Sequence, residues 1–76
     1  MNLTEQLSAQ GVEWRRVETE DATELVVDFG FHEQSAVDVV DGTVIVIVGE
    51  DQYEFDTSPG ARAFMNNGVL TIEVER

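Results

Sequence analysis

Seventy-six residues make one small domain, and a chain of this size buries only about 60% of the surface its unfolded form exposes. With 42% hydrophobic residues it can build a core, which excludes wholesale disorder, and with no cysteine it has neither a disulfide framework nor a thiolate metal site. Sixteen acids against four bases, a net charge of −12, repel phosphate backbones and anionic lipids, so no nucleic acid and no membrane is expected as a partner.

Asn2 to Gln10 reads as a short helix. Asn2 is placed to cap it, Glu5 stands in the capping-box position, and Gly11 can end it. Leu3 and Leu7 share a face at i, i+4. Such a short helix is not stable alone and must dock, either covering an open end of a sheet or serving as an assembly arm. The segment is polar, unlike a signal peptide. The longest unbroken apolar run, Val44 to Val48, falls far short of the about 20 residues a spanning helix needs. A cytoplasmic location is the expectation.

The remainder reads as strands. Val12 to Thr19 puts Val12, Trp14 and Arg16 on one face. Glu24 to Phe29 alternates, with Leu25, Val27 and Phe29 inward and Glu24 and Asp28 outward. Gly30 breaks that strand. Ser35 to Val40 sets Val37 and Val39 against Ala36, Asp38 and Val40, and Asp41-Gly42 signals a hairpin. Thr43 to Val48 is apolar on both faces and rich in β-branched residues, which favours a strand. Gly49 to Gln52 is expected to turn the chain into a strand over Tyr53 to Asp56, with Tyr53 and Phe55 on one face. Ser58-Pro59-Gly60 starts a loop or a single helical turn. A closing hairpin follows from Ala63, in which Asn67-Gly68 turns one strand into a last one whose Leu70, Ile72 and Val74 point inward. Seven short strands joined by turn signals predict an all-β fold: a small antiparallel β-sandwich with a short N-terminal helix, as a single domain over residues 1–76.

Ala63, Asn67, Gly68, Val69, Leu70 and Ile72, in that spacing, resemble the closing hairpin of the α-crystallin domain of small heat-shock proteins. The likeness extends back through Glu24 to Phe31, with its strand and Gly-bearing turn, and through Ala36 to Gly42 with its Asp-Gly turn. Thr43 to Glu50 resembles the family's strand ending in Gly-Glu, and Phe55 to Pro59 its Phe-x-Leu-Pro segment. The resemblance implies an α-crystallin-like sandwich that binds protein, as a chaperone-like module on a protein client or, alternatively, as an adaptor subunit of one complex. Phe29 replaces the family's proline before the glycine. The long loop exchanged between subunits is missing, because Val48 leads to Tyr53 through four residues. With no Ile-x-Ile docking tail either, a monomer or small edge-paired homodimer is expected rather than a large shell.

No catalytic constellation stands out, and no enzyme, cofactor or metal site is expected. His32, near Asp28, Glu33 and Ser35, reads as a solvated loop residue, since catalysis needs a base oriented in a pocket. Asp28-Phe29-Gly30 spells a kinase metal motif, but the chain has no lysine and no Gly-rich loop to go with it. Glu20-Asp21 and Glu50-Asp51 lack the alternating oxygen spacing of a calcium loop. The double-faced run Thr43 to Val48 is the strongest functional lead. If Val44, Val46 and Val48 line the core, Ile45 and Ile47 face outward; in the opposite phase the valines do. An aliphatic stripe on an acidic surface marks a protein contact, and Ile45, Ile47, Tyr53 and Phe55 are the candidate protein-contact residues. Exposed strand edges offer main-chain pairing as a second route.

The acids are spread along the chain, and all four bases are arginine, a composition like that of halophilic cytosolic proteins. At molar salt the Debye length shrinks to about 3 Å and the self-repulsion is screened. If screening recovers about 2 kcal/mol, the melting temperature rises by about 10 °C between low and molar KCl. Circular-dichroism melts measure this, and identical melts would refute salt dependence.

Overall fold

The computed structural model describes residues 3–31 and 34–75; the Asn2 cap and the His32–Glu33 pair lie outside them. Helix α1 (Leu3–Ala9) is followed by β1 (Glu13–Glu18), β2 (Ala22–Asp28), β3 (Ser35–Val40), β4 (Thr43–Val48), β5 (Asp51–Asp56), β6 (Arg62–Asn66) and β7 (Val69–Glu75). Two antiparallel sheets result, one ordered β1-β2-β7-β6 and the other β3-β4-β5. The expected small all-β sandwich with an N-terminal helix is the observed architecture.

The hairpins are two-residue turns whose backbone suits the right-handed twist of paired strands. Asp41 (φ 50°) and Gly42 (φ 79°) both take positive φ, as do Asn67 (φ 52°) and Gly68 (φ 79°), the type I′ pattern in each case. Gly49 (φ 60°) leads the β4–β5 turn, and Val48 pairs with Asp51. β5 therefore begins two residues before the strand expected at Tyr53, because Gly49-Glu50 alone reverses the chain. Ser58-Pro59-Gly60 forms a turn closed by Ala61 N–H to the Ser58 carbonyl at 3.3 Å, not a helical turn. Gly11 (φ 73°) ends α1, its N–H donating to the Ser8 carbonyl at 3.1 Å.

The core lies between the sheets. Leu25, Val27, Leu70 and Ile72 from the larger sheet meet Val44, Val46, Val48 and Phe55 from the smaller one, and Leu7 of α1 is also fully buried. Phe29, Val37, Val39, Met65, Tyr53 and Val74 pack at its margin, so Phe29 and Val74, expected inside, are partly buried. No described charged side chain is buried. β3 lies beside β6 on one flank of the sandwich, while α1 contacts both β5 and β1 on the other.

The end of β2 and the β6–β7 turn meet at one tight point. Phe29 N–H donates to the Gly68 carbonyl at 2.9 Å, and the Asp28 carboxylate accepts the Gly30 N–H at 2.8 Å. A Cβ on Gly68 would collide with the Gly30 carbonyl oxygen. Gly68→Ala combines an unfavourable φ with that collision and is expected to cost about 2–4 kcal/mol. Gly60→Ala, where nothing lies within 4 Å, should cost only the strain of its positive φ, about 1–2 kcal/mol. Urea unfolding of the two variants compares them.

Candidate functional site: the outer face of the three-stranded sheet

The register decides what each strand presents. Val44 pairs with Phe55 and Val46 with Tyr53, so all four point to the same side, the inner one. Ile45 and Ile47 therefore point outward. Across this outer face the rows read Ala36–Ile47–Gln52, Asp38–Ile45–Glu54 and Val40–Thr43–Asp56. Ile47 is 44% and Val40 47% exposed, and Ile45 is partly buried.

Phe55 was expected as a contact residue and is not available as one. Its side chain is 0% exposed, because its partner Val44 faces the core. Tyr53 is half-buried, its ring stacked at 6.3 Å on Phe55 and tilted at 5.0 Å against Phe29. It seals the sandwich margin. The alternation that groups Tyr53 with Phe55 is correct, but the pair faces the core. Of the four candidates, the structure brings Ile45 and Ile47 together on the outer face and separates Tyr53 and Phe55 from them.

The edge of this sheet at β5 is engaged at one point. The Gln6 side-chain amide donates from Nε2 to the Asp56 carbonyl at 2.9 Å and accepts the Asp56 N–H on Oε1 at 2.7 Å. One carboxamide thus supplies the donor and acceptor that a neighbouring strand residue would supply. Trp14 Nε1–H donates to Ser8 Oγ at 3.2 Å, anchoring α1 to β1 as well. With β3 set beside β6, main-chain pairing at the edges, expected as a second route to partners, is obstructed at Asp56.

A second apolar patch lies on the outer face of the four-stranded sheet, where Arg15, Val26, Thr71 and Phe64 form one row and Val17, Glu24, Glu73 and Arg62 the next. Phe64 is 54% exposed. Sequence reasoning missed it, although the signal was present: a two-residue turn at Asn67-Gly68 sets Met65 opposite Leu70, which turns Phe64 outward. Two open depressions lie at the surface, one by Trp14, Arg15, Val26 and Val69, the other by Arg16, Leu25, Asp56 and Ser58. Among the described residues, no group of three or more metal-ligating side chains is placed to hold an ion, and no helix is long and apolar enough to cross a membrane.

A family model described as "Family of unknown function (DUF7127)" matches residues 1–74. The chain belongs to that family. No curated protein and no solved structure matches it. The DUF7127 match includes α1 together with every strand up to Val74, so the helix is part of the family's unit and not an appendage to it.

The Gln6 contact generates a prediction. Gln6→Ala removes two hydrogen bonds at a site water can reach, and should cost about 0.5–1.5 kcal/mol. The Asp56 amide should exchange its hydrogen faster than the Tyr53 amide, whose partner strand is unaltered. Hydrogen exchange followed by NMR reads both.

Proposed function

We propose that this protein is a non-catalytic protein-binding module of chaperone-like character, similar to small heat-shock proteins, in a salt-adapted cytoplasm. One observation carries the reading: in a chain of net charge −12, the outer face of the smaller sheet keeps Ile47 and Val40 nearly half exposed with Ile45 between them. Fully burying such a side chain is worth about 1.5–3 kcal/mol, so covering what remains of the three gains roughly 2–3 kcal/mol. Association costs at least about 4 kcal/mol. These three side chains alone therefore cannot sustain a permanent dimer, and a partner must add contacts of its own for even reversible binding.

The likeness to the α-crystallin domain is supported by where its residues fall. Gly30 follows β2, Asp41-Gly42 joins β3 to β4, Gly49-Glu50 joins β4 to β5, and Asn67-Gly68 joins β6 to β7. A second reading, an adaptor subunit fitted to one complex, is favoured by the Gln6 contact at Asp56. A blocked edge limits indiscriminate capture of extended chains.

Light scattering by a heat-stressed, salt-adapted client enzyme in molar KCl tests the proposal. The wild type is expected to suppress aggregation at near-stoichiometric amounts, and Ile45→Asp with Ile47→Asp to lose that effect while keeping its circular dichroism. No suppression by the folded wild type would eliminate client holding and leave the adaptor reading, to be pursued by pull-down in the same salt.

A further inference from the structure

The face that carries Ile45 and Ile47 belongs to the part of the molecule that has no cation. Between Gln34 and Ala61 the chain holds Asp38, Asp41, Glu50, Asp51, Glu54 and Asp56 and not one basic residue. The described arginines, Arg15, Arg16 and Arg62, lie on β1 and β6, both in the four-stranded sheet. On the smaller sheet Asp38 and Glu54 flank Ile45 from the two neighbouring strands, and Asp56 closes the next row. Asp38 Oδ1 accepts the Val39 N–H at 2.9 Å and Glu54 Oε2 accepts from Gln52 Nε2 at 3.3 Å, but these neutral donors leave both charges in place, so a partner that covered Ile45 and Ile47 without cations would desolvate them, which opposes binding. A partner with cations at the flanks would gain from the same carboxylates. The Gln6 contact holds the outward main-chain groups of Asp56, which closes that end of the β5 edge, and the approach inferred here is to the side chains of the face.

We infer that the outer face of β3-β4-β5 binds a basic, aliphatic segment of another protein, its lysines or arginines meeting Asp38 and Glu54 while its aliphatic side chains cover Ile45 and Ile47. This rests on reading that face as a docking surface and specifies its partner. A second copy is a poor occupant: its Arg15 and Arg62 share the outer face of the larger sheet with Glu13, Glu24, Asp28 and Glu73, which repel the carboxylates here, and its Arg16, on the other side of β1, is paired with Glu18 at 3.1 Å.

The test uses the full chain in the lowest salt that preserves its fold, with two probes: a short peptide alternating lysine with isoleucine, and its counterpart with glutamate for lysine. The lysine peptide should shift the backbone NMR signals of Asp38, Ile45, Ile47 and Glu54 and bind more weakly as KCl rises. Asp38→Asn with Glu54→Gln, nearly isosteric and on the surface, should weaken it about three- to tenfold. Asp41→Asn with Glu50→Gln, the same charge change at the turns, should leave it nearly unchanged.

Equal effects of the two charge pairs would mean diffuse attraction to an acidic protein and overturn the inference, as would equal binding of the two peptides at this face; in the latter case the docking reading would stand. If neither peptide shifts the face, the docking reading fails as well. Self-association of the protein alone, abolished by Ile45→Ser with Ile47→Ser, would assign the face to a second copy and overturn the inference.

Discussion

Four strands packed on three leave one flank of a sandwich to be closed, and the structure depends on how that flank is filled. On one side β3 meets β6; on the other α1 lies against β5 and β1. Leu7 supplies the apolar plug and is fully buried with the valines of β4. Gln6, one position earlier, satisfies the exposed main chain of Asp56. Neither contact would hold a seven-residue helix by itself, since a helix so short is unstable in water. Together they make the helix an integral wall of the core, in agreement with a family match that includes it.

From that closed core the presented surface follows by register. Two-residue turns allow no slippage, and a slip of one residue would invert every side chain on a strand. Asp41-Gly42 and Gly49-Glu50 therefore fix which residues of β3, β4 and β5 share a face. Once Val44 and Val46 are inside, Phe55 and Tyr53 must follow them, and Ile45 and Ile47 are left outside. Asp38, Glu54 and Asp56 take outward places beside them, along with Ala36, Val40, Thr43 and Gln52, and the acids' charges remain hydrated there. The same surface is thus apolar at its centre and anionic around it because one set of turns determines both.

Strand existence was legible because the alternation of Leu25 with Val27, and of Leu70 with Ile72, has a single interpretation, and because Asn-Gly and Asp-Gly pairs have few alternatives to a tight turn. The start of β5 was not legible. Asp51 and Gln52 resemble loop residues, yet they sit at an edge where one side of the strand faces water. The facing of Tyr53 and Phe55 was hidden for another reason: alternation groups residues without saying which group is inside, and β4, apolar on both faces, gave no independent phase. The Gln6 contact had no sequence signal, since nothing local links a helix carboxamide to a strand end 50 residues away. The same holds for the abutment of Gly68 on the Gly30 carbonyl, where an ordinary turn glycine must also be small because of a distant segment of main chain.

The separation of Gln6 from Asp56 bears on how the chain is assembled during synthesis. The helix segment leaves the ribosome before the strands it docks on, and its binding place is not complete until β5 has followed, several seconds later at ordinary elongation rates of about 5–20 residues per second. Until then Leu3 and Leu7 have no core to enter, and the segment is too short to hold its helical form. Residues made before the strands are therefore among the last that can settle, and the nascent chain passes through an interval in which the unhoused leucines are open to whatever factors attend it.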